Sequence, residues 1–345
     1  MRKWCKPLFC LAGAWALWAG PVDFGKQELQ RAIAERKLPP QKFRVQTEVS
    51  TDAPESFRIV GARIAGGDLR GLMYGLLEAS EQIRAKGWMV QARGSAAVRI
   101  RGVRLLVQPE DLGGEWFYSR AYWDEICSTL ARSRFNRLNL VFGGQTELGP
   151  RVAGAVHAIA QTALGCAVDL AISLEPGSLD GEAHGFRSLL IESPAIRSVQ
   201  WKKGEADNPV MRLPEALLGA LVESGRRVTL EFPSREATPE LLDKLTERGI
   251  PLRLSAEHGS APAAPAEAEV LWEVGAPGAR ERDDPAFVRG VMQDLTKTGV
   301  AGFEIDGPLP VTSEANRRFY TLWGRLSYDP KTPASVWEPK LVKRP

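Results

Sequence analysis

From about residue 97 the chain alternates short apolar runs with polar or glycine-bearing breaks and then with helix-length amphipathic stretches. This is the pattern of βα units on a parallel sheet. The apolar runs are Val98–Val107, Arg137–Phe142, Ala167–Leu174, Arg197–Trp201, Arg227–Phe232, Pro251–Ala256, Val270–Val274 and Gly299–Ile305. Between them the spacing predicts helices over Ala121–Ser133, Ala153–Leu164, Gly185–Ser193, Pro214–Ser224, Pro239–Arg248 and Asp284–Lys297. Eight strands in about 240 residues fit an α/β chain folded as a (β/α)8 TIM-type barrel. The stretch from Glu257 to Glu269 is too rich in proline for a helix, so the barrel is expected to be irregular there. An open, doubly wound sheet is the competing arrangement. It would call for a glycine-rich phosphate turn, and neither G-x-G-x-x-G nor G-x-x-x-x-G-K-[ST] occurs.

Ahead of the barrel pattern, apolar residues at 29, 32 and 33 predict a short helix over Lys26–Lys37, ended by Pro39-Pro40. Strand-like runs follow at Phe43–Val49 and Phe57–Val60, then Ile64–Gly71 and a helix over Leu72–Ala85 that Asp68 can cap. Residues 22–95 thus read as a small α/β domain, 97–330 as the barrel and 331–345 as a tail. The first twenty residues are set apart: Arg2, Lys3 and Lys6 precede the apolar run Pro7–Gly20, which has no acidic residue. That is a secretory signal pattern, with Ala14-Trp15-Ala16 or the neighbourhood of Gly20 as cleavage site, and an uncleaved terminal anchor is the other reading. The run is shorter than the roughly 20 residues that span a bilayer, so no membrane span is expected in the mature chain, which is read as exported to the periplasm or medium.

Without Arg2, Lys3 and Lys6, the 45 basic residues fall to match the 42 acidic ones. A balanced chain with no Lys/Arg cluster lacks the electrostatic footprint of a nucleic-acid binder. Of four cysteines, Cys5 and Cys10 go with the leader; Cys127 and Cys166 lie 39 positions apart, without metal-ligand spacing. They read as two separately buried thiols, and export leaves a disulfide open. With three histidines and no H-x-x-x-H, neither a metal nor another cofactor is expected.

Phe57–Ile83 contains Gly67, Asp68, Gly71, Tyr74, Gly75 and Leu76 in the order G-D-x-x-G-x-x-Y-G-L. This segment resembles the small N-terminal α/β domain shared by family 67 α-glucuronidases and family 20 β-hexosaminidases. Ile100–Arg104, Tyr122–Ile126 and Ala131–Leu140 are similar to the start of those families' catalytic barrels, and Phe319–Pro330 is similar to the end of bacterial barrels of the group. The resemblance implies a glycoside hydrolase acting on a carbohydrate. The chain departs from the pattern after strand four, where Gly204-Glu-Ala-Asp207 replaces the adjacent Asp-Glu pair of family 20. No counterpart of the helical C-terminal domain of family 67 is found up to Pro345.

Active sites of such barrels sit at the carboxyl ends of the strands, and glycoside cleavage commonly needs two carboxyl groups, one protonated and one ionised. Glu205, after strand four, coincides with the acid position that the resemblance implies. Its counterpart is sought among Glu257 at the end of strand six, Glu273 in strand seven, and Glu304 with Asp306 in strand eight. A spacing of two puts the last pair on one face of the strand, either into the barrel mouth or toward the helices. Glu175 and Glu231 are secondary candidates. His258 could share proton chemistry with Glu257, whereas His157 and His184 read as surface or packing residues. No G-x-S-x-G turn supports a serine hydrolase.

Seven tryptophans remain after the leader. Trp116, Trp201 and Trp272 are candidates for stacking on sugar faces, with core filling as the other use of such rings. Trp123, at helical spacing with Ile126 and Leu130, reads as core. Arg101, Arg104, Gln108 and Gln145 are candidate donors to hydroxyls or a sugar carboxylate, though arginines on barrel strands also make structural ion pairs. The reading is an exported glycosidase with Glu205 as proton donor and a later-strand carboxylate as counterpart. A non-catalytic carbohydrate-binding barrel is the alternative. Sugar, linkage, stereochemical outcome and oligomeric state stay open.

Overall fold

The structure is a computed structural model, and it describes residues 20–143, 148–175, 183–202, 213–260, 268–275 and 281–337. Among these the chain forms a small sheet flanked by two helices and then a closed barrel. Helix α1 (Pro21–Glu35) starts five residues before the pattern predicts, because Pro21 is preset for a first turn and Asp23 favours the positive helix end. Its apolar stripe of Phe24, Leu29, Ala32 and Ile33 is buried, and each large side chain so covered contributes about 1.5–3 kcal/mol.

Strands β1 (Gln46–Val49), β2 (Phe57–Val60), β3 (Arg63–Gly66) and β4 (Ala92–Gly94) make a sheet in the order β1-β3-β2-β4. Helix α2 (Leu69–Lys86) packs on it, capped as expected by Asp68, whose Oδ1 accepts from the Gly71 amide at 2.6 Å. The glycines of the G-D-x-x-G segment have a packing cause. A Cβ on Gly67 would lie 2.0 Å from the Ala53 carbonyl oxygen, and one on Gly71 would lie 2.2 Å from that of Ser56. Backbone atoms cannot yield there, so only hydrogen fits.

The barrel strands are β5 (Ile100–Val107), β6 (Arg137–Phe142), β7 (Asp169–Leu174), β8 (Ile196–Trp201), β9 (Thr229–Pro233), β10 (Leu252–Glu257), β11 (Glu269–Val274) and β12 (Gly302–Asp306). All neighbours are parallel, and β10 pairs with β9 on one side and β11 on the other, so the ring is closed. The α/β TIM-type expectation holds, and the flat doubly wound sheet is excluded. Helices α3 (Arg120–Ser133), α4 (Pro150–Gly165), α5 (Ala183–Glu192), α6 (Glu215–Glu223), α7 (Pro239–Glu247) and α8 (Pro285–Thr298) surround it. Most of the connection from β10 to β11, where the prolines predict an irregular stretch, lies outside the described residues. Helix α9 (Glu314–Tyr328) is not among the elements the pattern predicts; Ser313 caps it, and Phe319, Leu322, Trp323 and Leu326 bury its stripe. Cys127 and Cys166 are free buried thiols, and no described helix is long and apolar enough to cross a membrane.

The small domain sits against the amino-terminal ends of β5, β6 and β7. Glu55 accepts from Arg101 at 2.5 Å, from Arg70 at 2.8 Å and from Asn136 Nδ2 at 2.8 Å, and the Tyr328 hydroxyl donates to its carbonyl at 2.7 Å. Burial alone would raise the Glu55 carboxyl; the charges of Arg101 and Arg70 outweigh it and hold the group down at about 2. Arg101 therefore belongs to the domain junction. The expectation that it contacts substrate is corrected: its side chain is wholly buried, facing out of the barrel at the end away from the mouth.

Candidate active site at the barrel mouth

Alternation along each strand decides what fills the ring. Leu138, Leu140 and Phe142 of β6 face the helices, which leaves Arg137 and Asn139 to point inward. The same rule brings in Ser173 from β7, Ser198 and Gln200 from β8, Glu231 from β9, Arg253 from β10, Glu273 from β11 and Glu304 from β12. The interior is consequently a hydrogen-bonded ionic lattice in place of the branched apolar layers usual in such barrels. At its centre Arg137 donates Nε to Glu304 and its two Nη to Glu231, at 2.8 and 2.5 Å, and to Ser198 at 2.9 Å. Arg253 takes the other side of Glu231 at 2.5 Å and continues to Glu269 at 3.0 Å. Burial would push the Glu231 carboxyl up, but Arg137 and Arg253 together hold it below the usual carboxylate range.

Toward the mouth, Asn139 Nδ2 donates to Glu304 at 3.0 Å and to Gln200 Oε1 at 3.1 Å. Gln200 Oε1 also accepts from Ser173 at 2.5 Å, and its Nε2 donates to Glu273 at 2.8 Å. The other Glu273 oxygen takes Arg104 Nη1, while Arg104 Nε and Nη2 reach Asp306 at 2.9 Å each. Desolvation raises the Glu273 carboxyl, and Arg104, then Lys202, more than cancel that, so it is ionised below the ordinary range. Glu273 keeps a quarter of its side chain open to solvent. It is thus a fixed, partly accessible anion, the state required of a nucleophile or a base.

The expected site residues divide accordingly. Glu273 and Asp306 meet at Arg104 on the mouth side, and Glu257, in register with Glu273, is exposed beside them. Glu304 faces into the barrel but is wholly buried beneath them, as is Glu231. Glu175, just past the end of β7, is half-buried and has a partner. Glu205 and Gln145 lie outside the described residues, and so does the side chain of His184. His157 Nδ1 pairs with Ser193 at 3.0 Å on the outside of the barrel.

Two of the three stacking candidates are corrected. Trp201 and Trp272 occupy the outward positions of β8 and β11 and are 2% and 1% exposed, so both are core residues between strands and helices. The His258 ring meets the Trp272 ring edge-on at 5.0 Å. Trp116, half-buried in the loop after β5, stays on the mouth side, its ring 4.9 Å from that of Tyr122. Trp123 is core, as read. The lattice residues Arg137, Asn139, Ser198, Gln200 and Arg253 are not among the sequence candidates. Their signal is a polar residue at every second position of otherwise apolar runs, as in Arg-Leu-Asn-Leu over 137–140.

No family model matches the sequence, and no curated protein sequence matches it. Among solved structures the chain is similar to a GH138 enzyme targeting pectin rhamnogalacturonan II, with a TM-score of 0.70 at 12% identity over 92% of this chain. It is also similar to CpGH84B, with a TM-score of 0.52 at 13% identity over 88% of this chain. Both neighbours are glycoside hydrolases, and at these identities the likeness shows the shared barrel fold. The chain spans 50% of the length of the first and 66% of the second. Neither neighbour is of family 67 or 20, so those particular families are not confirmed.

Proposed function

We propose that this chain is an exported glycoside hydrolase that cleaves a glycosidic bond in a polysaccharide-derived substrate. Glu273 is the ionised carboxylate and Glu205, which follows β8 in the sequence, is the proton donor. The observation that carries this reading is Glu273 itself, held charged by Arg104 and Gln200 on the mouth side of a closed barrel. Glu231, which burial alone would favour as a proton donor, is taken up by two arginines, which leaves Glu205 as the acid of this proposal. The glycoside hydrolase neighbours support the class, and the pectin named for the GH138 enzyme makes acidic plant polysaccharides the first substrates to try. The apolar run that ends at Gly20, just before α1 begins at Pro21, supports removal of a leader there.

The test is hydrolysis of a glycan panel by the wild type, Glu273→Gln and Glu205→Gln. Loss of either carboxyl should lower turnover by about 100- to 10,000-fold, the usual worth of an acid or base. Full activity in either variant removes that residue from the mechanism. A second reading is a binding barrel without turnover. The sharing of Arg104 between Glu273 and Asp306 favours it, because a carboxylate locked in an ion pair can serve recognition alone. It predicts glycan binding that survives in Glu205→Gln and no product from any substrate.

A further inference from the structure

One face of the small sheet is buried under α2 through Ile59 and Ile64, and the other is exposed except at Ala65, which lies between Arg58 and Glu48. The exposed face carries Arg58, Arg63 and Arg93. Arg58 and Arg93 are direct cross-strand partners on β2 and β4, and Arg63 stands opposite Val60, one diagonal step from Arg58. Like charges directly opposite each other on a sheet destabilise it. The barrel arginines Arg101, Arg104, Arg137 and Arg253 each hold a carboxylate. Arg58, Arg63 and Arg93, by contrast, have no ion pair among the described residues. Blunting a sheet edge against aggregation would explain Arg93 on the outer strand β4, but it does not explain an arginine facing it from β2, inside the sheet.

We propose that this face is a docking surface for an anionic polysaccharide, separate from the mouth. The choice of a polysaccharide rests on the carbohydrate reading above; the demand for a polyanion comes from the face itself. Strands about 4.8 Å apart set the three guanidinium groups at one- and two-strand intervals. A uronate chain carries a carboxylate on every sugar, and planar guanidinium groups match carboxylates in pairs. Val60, 49% exposed between the arginines, offers an apolar contact for a sugar ring, and Gln46 beside Arg63 offers donors to hydroxyls. Glu48 is the one acid among the strand positions of this face; it sits on the edge strand β1, one diagonal step from Arg63, and forms no ion pair with it. Because the small domain abuts the amino-terminal ends of the barrel strands, a polymer held here leaves the mouth open. The surface would tether the protein to a matrix while the barrel works on other chains.

The experiment is retention of the full-length protein on immobilised polygalacturonate, with the fully methyl-esterified polymer as the uncharged control. The expected result is salt-sensitive retention by polygalacturonate alone, weakened at least tenfold in Arg58→Gln/Arg63→Gln/Arg93→Gln, whose changes are all exposed and leave the fold intact by circular dichroism. Glu273→Gln should be retained as well as the wild type. That arm separates this proposal from the enzymatic one, since retention without hydrolysis sinks only the latter. Unchanged retention in the triple variant, equal retention on the esterified polymer, or loss of retention in Glu273→Gln would each overturn the docking surface. Equal or tighter binding to a DNA duplex or to phosphatidylglycerol vesicles would also overturn it, by showing a general cationic patch.

Discussion

Arg137 and Glu304 join their side chains across an intervening strand. They sit on β6 and β12, and β5 runs between them with Gly102 in register with both. The absence of a side chain at Gly102 opens the path, and the ion pair fills it. A Cβ there would come 2.6 Å from Glu304 Cγ and 3.2 Å from the Phe303 carbonyl oxygen. One glycine therefore decides whether the centre of the barrel can be ionic.

Gly102→Ala should accordingly destabilise the protein by about 1–3 kcal/mol, as overpacking does. The usual relief, rotation of the neighbour, is blocked because Arg137 and Asn139 pin Glu304. Urea unfolding measures it; a change within about 0.5 kcal/mol, the range of ordinary surface substitutions, would mean that the ion pair is not rigid.

Arg137→Met should cost more, about 3–5 kcal/mol, because it strands buried carboxylates without their cation. Glu231 would keep Arg253, so most of the loss falls on Glu304, left with the Asn139 hydrogen bond and the more distant charge of Arg104. The double change Arg137→Met/Glu304→Gln removes the stranded charge and should recover a large part of the loss. A double variant no more stable than the single one would place the cost elsewhere.

The closed ring is legible in the sequence because the alternation of apolar runs and breaks acts locally. The Asp68 cap is legible for the same reason, whereas the glycines at 67 and 71 answer to the carbonyls of Ala53 and Ser56 and enter the sequence reading only through the resemblance. The fate of individual polar side chains is not, since it depends on which face of a strand closes inward. Arg101 and Arg104 are three positions apart on β5 and so face opposite ways, one to the domain junction and one to the mouth. Trp201 and Trp272 go to the core by the same parity. The strand-eight acids, which could face either way, turn inward, yet Glu304 lies too deep to meet a substrate.

Glu55 gives the domain junction a pH dependence with a definite sign. Its folded carboxyl is held at about 2 against an ordinary 4.5. The stabilisation is therefore present above pH 4.5 and is lost as the pH falls toward 2. Linkage sets its size on the order of 3 kcal/mol. Thermal melting at a series of pH values should show a steeper acid-side fall for the wild type than for Glu55→Gln. Parallel curves would show that the junction does not depend on that charge.

Arg104→Gln tests the mouth directly. Desolvation raises the Glu273 carboxyl, and Arg104 is the largest of the influences that lower it, followed by Lys202. Without Arg104 the burial cost is opposed less, so the carboxyl rises and stays protonated to higher pH. If Glu273 must be ionised for turnover, the acid limb of kcat/KM, which reports the free enzyme's essential groups, moves to higher pH in Arg104→Gln. It disappears as a Glu273 feature in Glu273→Gln, whose residual rate should not respond to that limb. Asp306 loses the same guanidinium, so Asp306→Asn is the control that separates the two carboxyls: its acid limb should stay near the wild-type position. An Arg104→Gln profile that coincides with the wild type would show that Glu273 is not the group whose charge controls the reaction.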